Sequence, residues 1–174
     1  FTIEDYINPV DITDIVHTSF TANNAEKGGA IDNAGKATIT NAIFRGNNAS
    51  INGGAIYNSG AGTNIDIIAA DEVIFDGNYV SSADGKGGAI YNNTGSTLNL
   101  VAKTGGTIEF TGVLPSGKTG YKVDSIYNDA DLNINGYTPE ATFVTTDGTV
   151  ILQQVEGAGT KNIYGGTVST KGII

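Results

Sequence analysis

The chain has 174 residues, 39% hydrophobic content and neither cysteine nor methionine; that is enough for one domain with a continuous core, and it rules out a disulfide framework or a thiolate metal site. Its 18 acidic residues against 9 basic, a formal charge of −9, argue against a nucleic-acid partner, because such surfaces draw their affinity from Lys and Arg. No run approaches the roughly 18 apolar residues of a membrane span, and 25 glycines against 3 prolines, in a background of Asn, Thr, Ile and Val without helix-forming stretches, mark an all-β chain with many turns.

Residues 1–19, which hold Pro9 and the acidic Glu4, Asp5, Asp11 and Asp14, are expected to form an N-terminal cap or linker. The start at Phe1, with no basic-then-apolar leader, is expected of a mature product or an excised fragment. A repeat then runs from residue 20 to 126. Phe20 precedes Gly28-Gly29-Ala30-Ile31, Phe44 precedes Gly53-Gly54-Ala55-Ile56, Phe75 precedes Gly87-Gly88-Ala89-Ile90, and Phe110 precedes a degraded Val123-Asp124-Ser125-Ile126. Gly53 follows Gly28 by 25 residues and Gly87 follows Gly53 by 34, so the unit is near 25 residues and later copies carry inserted loops. Between the copies, residues 37–44 and 96–101 alternate apolar with polar, the period of half-buried strands. Residues 127–174 are expected to be degenerate coils of the same continuous domain.

A β-sandwich would have strands of similar length but would not repeat one motif per unit with variable insertions. A right-handed, single-stranded parallel β-helix does, because equivalent residues stack about 4.8 Å apart and insertions bulge at the corners. The expected architecture is therefore a β-solenoid of about six to seven coils with three strands per coil. Ile31, Ile56, Ile90 and Ile126 form one inward column, and Phe20, Phe44, Phe75 and Phe110 a second, which Phe143 continues. The glycine pairs answer to a positive φ or to close backbone approach. Asn23, Asn47 and Asn78, three residues after each Phe, are placed at another corner in the left-handed conformation.

The pairing of Phe-x-x-Asn with Gly-Gly-Ala-Ile over residues 20–126 resembles the repeat of the polymorphic outer-membrane proteins of chlamydiae and, more widely, autotransporter-like passenger adhesins. The resemblance implies a β-helical segment at a bacterial cell surface, attached to the outer membrane or secreted, that acts in adhesion to a host or neighbouring cell. The fourth copy departs from the pattern: Phe110-Thr111-Gly112-Val113 lacks the Asn, and its tetrapeptide lacks both glycines.

The residue after each inward Ile should point outward. Tyr57, Tyr91 and Tyr127, each followed by Asn58, Asn92 or Asn128, are therefore expected to form an exposed ladder that serves as a binding face for a surface protein or glycan. Residues 59–72 and 80–86 are inserted loops that could share the contact. His17 has no Gly-x-Ser-x-Gly elbow to serve and is expected at the surface or in a cap. The carboxylates Asp66, Asp71, Glu72 and Asp76 fall on different strands and corners, a poor basis for glycoside hydrolysis, so no enzyme is expected. No cofactor is expected either; calcium at Asp11, Asp14, Asp129 and Asp131 is the one metal worth weighing, and it lacks a known loop pattern. The competing function is a self-assembling filament or surface layer, joined head to tail through open coil ends.

Overall fold

The computed structural model describes residues 17–136 and 146–172. Each of the first three coils contributes four short strands. The first holds β1 (Thr18–Thr21), β2 (Asn24–Lys27), β3 (Ile31–Asn33) and β4 (Lys36–Thr40). The second holds β5 (Ala42–Arg45), β6 (Asn48–Asn52), β7 (Ile56–Asn58) and β8 (Asn64–Ala69), and the third β9 (Glu72–Asp76), β10 (Tyr79–Val80), β11 (Ile90–Asn92) and β12 (Thr97–Ala102). The fourth, β13 (Thr107–Phe110), β14 (Ile126–Asn128) and β15 (Asp131–Ile134), and the fifth, β16 (Thr149–Leu152), β17 (Val155–Glu156) and β18 (Thr160–Ile163), have three; β19 (Thr167–Thr170) opens a sixth.

Each strand pairs in parallel with its counterpart one coil on, giving a six-stranded sheet through β1 and β19, five-stranded sheets through β3 and β4, and a three-stranded sheet of β2, β6 and β10. This is a parallel β-helix. The expected three strands per coil hold only where the third sheet is missing. In the first three coils the segment between Phe-x-x-Asn and Gly-Gly-Ala-Ile is itself a strand. A left-handed residue just before the Asn turns the chain from one sheet into the next: Ala22 at φ 54°, Gly46 at 60° and Gly77 at 67°. The left-handed corner residue is thus the neighbour of the asparagine rather than the asparagine.

The core follows the repeat. Phe20, Phe44, Phe75 and Phe110 stack in register with ring centroids 4.8, 4.7 and 4.4 Å apart and planes within 5°. Each buried side chain of this kind contributes roughly 1.5–3 kcal/mol, and stacked aromatic pairs add about 0.5–1.5 kcal/mol. Phe143 lies outside the described residues, as do the acidic residues of the N-terminal segment; in β16, Leu152 is buried in the same core. Ile31, Ile56, Ile90 and Ile126 are paired in one column, and the last three are at most 1% exposed.

The two glycines of each pair have separate reasons. Gly53 sits at φ +66°, where a side chain is strained. Gly54 has ordinary φ, but a Cβ there would lie 2.0 Å from the Gly88 carbonyl oxygen and 2.4 Å from that of Tyr79. The coils approach so closely that only hydrogen fits between them.

Candidate functional site

Tyr57, Tyr91 and Tyr127 do stack on the outer side of the sheet, with ring centroids 5.3 and 5.5 Å apart. The expected exposure is not found: Tyr57 and Tyr91 are only 9% and 7% exposed. Lys27 lies over the Tyr57 ring at 5.2 Å and Lys86 over the Tyr127 ring at 4.3 Å, so long side chains from the preceding segments roof the ladder. The Tyr91 hydroxyl donates to Asn93 and Asp129. Burial, with the Asp129 carboxylate adding to it, raises the Tyr91 phenol above its ordinary value. Asp32 occupies the same register in the first coil.

Asn58, Asn92 and Asn128 do not belong to that outer face. They stand two residues after an inward Ile, and alternate residues of a strand share a side. All three are fully buried. Asn33 Nδ2 donates to Asn58 Oδ1 at 2.7 Å, Asn58 to Asn92 at 2.8 Å and Asn92 to Asn128 at 2.7 Å. Each also donates to a backbone carbonyl at the corner, as Asn58 does to Thr97 at 3.0 Å. A buried amide needs such partners, and the column supplies them without end until the repeat stops.

A second asparagine column runs through the Phe-x-x-Asn motif: Asn23 donates to Asn47 at 2.9 Å, and Asn47 to Asn78 at 2.8 Å. The fourth coil has Val113 where the next asparagine would be, and Asp124, from its degraded tetrapeptide, takes the place. Its carboxylate accepts from Asn78 Nδ2 at 2.9 Å, Asn78 N at 2.8 Å, Gly77 N at 2.7 Å and Gly112 N at 3.0 Å. Burial pushes this carboxyl above its ordinary range, and the bonds from Asn78, Gly77 and Gly112 pull it back. Asp124→Asn is expected to destabilise the chain by roughly 1–3 kcal/mol for each backbone donor left without an acceptor, read as a lower urea midpoint at unchanged m-value.

The same coil gives up its strand in the three-stranded sheet. Residues 113–122 instead run back against the direction of stacking. Tyr121 pairs antiparallel with Val80, with N···O distances of 3.2 and 2.8 Å. A turn over residues 115–118 is closed by Lys118 N donating to the Pro115 carbonyl at 3.0 Å, with Gly117 at φ +73°, the requirement of a type II turn. The Pro115 ring lies against Gly46 and Gly77, so the turn reaches back to the second coil. Val113 is 66% exposed and Tyr121 49%. The two segments expected as loops are mostly built into the coils: residues 59–72 contain β8, and residues 80–86 begin with the fully buried Val80 and end at Lys86 over the Tyr127 ring.

The remaining titratable residues are dispersed. Asp66 accepts from Asn64 and Asn99, Asp76 pairs with Arg45 at 2.8 Å, and Asp71 lies 3.6 Å from His17 at the start of the first coil. Asp129 and Asp131 are engaged by Ala158 and Thr160, while Asp11 and Asp14 lie outside the described residues. Among the described residues no three His, Asp or Glu side chains converge on one point, and no helix is long and apolar enough to cross a membrane.

No curated protein and no solved structure significantly matches the chain. Residues 41–59 and 72–93 match the family model of the Chlamydia polymorphic membrane protein repeat. Those spans contain the Phe44 and Phe75 rungs, the buried Asn47, Asn58, Asn78 and Asn92, and two of the Gly-Gly-Ala-Ile corners. In these two stretches the chain is thus similar to the Chlamydia polymorphic membrane protein repeat.

Proposed function

We propose that the chain is a non-enzymatic β-helical segment of a bacterial surface protein, and that it contacts a host or neighbouring cell through residues 113–122. The observation that carries this is the replacement of a strand by that segment. The buried asparagines of the repeat are engaged in column-forming hydrogen bonds, whereas Val113, Tyr121 and the turn between them are presented outward on a rigid stack. Binding residues held on loops above a rigid scaffold are the general arrangement for recognition surfaces. The repeat family supports display at the surface. The separate placement of Asp66, Asp71 and Asp76 supports a role other than glycan cleavage.

Beads coated with the purified chain are expected to adhere to epithelial cells saturably, with the soluble chain competing. Adhesion no greater than that of beads coated with an unrelated acidic β-protein would overturn the reading. The filament reading draws on Ile163 and Tyr164, 55% and 64% exposed at β18, which edges its sheet. Long threads in negative stain would favour it over the adhesive one.

A further inference from the structure

The returning segment does more than project side chains, because it leaves two adjoining hollows between itself and the three-stranded sheet. One, of about 240 Å³, is lined by Asn24, Asn48, Tyr79 and Lys118 among others. The other, of about 440 Å³, is lined by Ser81, Lys118 and Tyr121 among others, and its volume is in the range of small-molecule sites, roughly 300–1,000 Å³. Lys118 borders both.

The chemistry of the walls is specific. Along the sheet, Ser81 donates to Asn48 Oδ1 at 2.8 Å and Asn48 Nδ2 donates to Asn24 Oδ1 at 2.8 Å. This column is on the outside of the coil, unlike the two buried asparagine columns. Each primary amide has two N–H donors and an oxygen with two lone pairs, so one column bond at Asn24 and two at Asn48 leave both with capacity to spare. A sugar hydroxyl, at once donor and acceptor, matches that capacity. Tyr121, 49% exposed, lines the same hollow, and an aromatic ring suits the apolar face of a pyranose. Lys118 makes no ion pair with the described residues, and a formal charge of −9 on the chain means that its ammonium stands out in an acidic surface.

We infer that this groove binds an acidic sugar residue, its anionic group on Lys118, its hydroxyls on Asn24 and Asn48, and its ring against Tyr121. A single cation suits one anionic group, and the acidic remainder of the surface opposes a long polyanion. The inference rests on the adhesive reading for its biological setting but not for its chemistry.

The test is titration of the ¹⁵N-labelled chain with sialyllactose, with a hyaluronan tetrasaccharide, and with lactose as the neutral match to the first. The expected result is a saturable shift of the Asn24, Asn48, Ser81 and Lys118 amides with at least one acidic saccharide, at an affinity at least about tenfold above lactose. Lys118→Ala should remove that advantage, a loss of about tenfold or more for a charged hydrogen bond, and Tyr121→Ala should weaken binding of acidic and neutral sugars alike. Both side chains are exposed, so the melting point should stay put. Whichever acid binds identifies the source as sialate or uronate. Three results would overturn the inference: no saturable shift up to about 10 mM, lactose binding equal to the acids, or unchanged binding in Lys118→Ala. Should cells still be bound when sugars are not, the ligand class fails and adhesion survives; should sugars bind when cells are not, adhesion fails and the site survives.

Discussion

Replacing Ile56 with aspartate is expected to unfold the coil stack at room temperature. Ile56 is fully buried between Ile31 and Ile90, in a column with no polar partner of its own. The substitution forfeits roughly 1.5–3 kcal/mol of burial and adds a penalty of several kcal/mol for an unpaired buried charge. Together these rival the roughly 5–15 kcal/mol by which folded domains are stable. Each coil also supports its neighbours by direct pairing, so a broken central rung separates the second coil from the first and the third. Far-ultraviolet circular dichroism should lose its β signal. A native spectrum and melting point in Ile56→Asp would show that this column does not face the core.

Gly54→Ala should cost about 3 kcal/mol or more, the upper range for overpacking, although it adds a single methyl group. The atoms it meets are carbonyl oxygens of the next coil, Gly88 at 2.0 Å and Tyr79 at 2.4 Å, which are held by the backbone ladder and have no rotamer to change. Gly54 N donates to Gly87 O at 3.0 Å, so relieving the contact means lengthening bonds between coils. Gly35→Ala is the matched control, because nothing lies within 4 Å of a Cβ there. Equilibrium urea unfolding of the two variants should separate them clearly. Equal midpoints would mean that the coils are further apart at this corner than the structure has them.

The Phe, Ile and Gly-Gly positions were legible in the sequence because their roles recur every coil, and a recurring residue in a stack reports the same environment each time. The inward direction of Asn58, Asn92 and Asn128 contradicts their expected place on the tyrosine face, although the parity of a strand required it: two residues after an inward Ile is inward again. The burial of the tyrosines was not legible. Lys27 and Lys86 lie back over the Tyr57 and Tyr127 rings, a contact between segments whose spacing varies from coil to coil. Asp124 left a faint signal. Val113 breaks the asparagine column and an aspartate appears in a degraded corner nearby, but the two join only when residues 113–122 fold back. That reversal also hides the groove, since Asn24, Asn48, Ser81 and Lys118 come from three coils and the returning segment.

The central claim is that the contact surface is the returning segment rather than the tyrosine face, and paired charge reversals on the two sides test it most directly. In a cell-binding assay, Lys118→Glu should abolish saturable binding, while Lys27→Glu and Lys86→Glu, which alter the cover of Tyr57 and Tyr127, should leave it within about twofold of the parent, the range of surface changes remote from a contact. Binding lost in Lys27→Glu and Lys86→Glu but kept in Lys118→Glu would contradict the account.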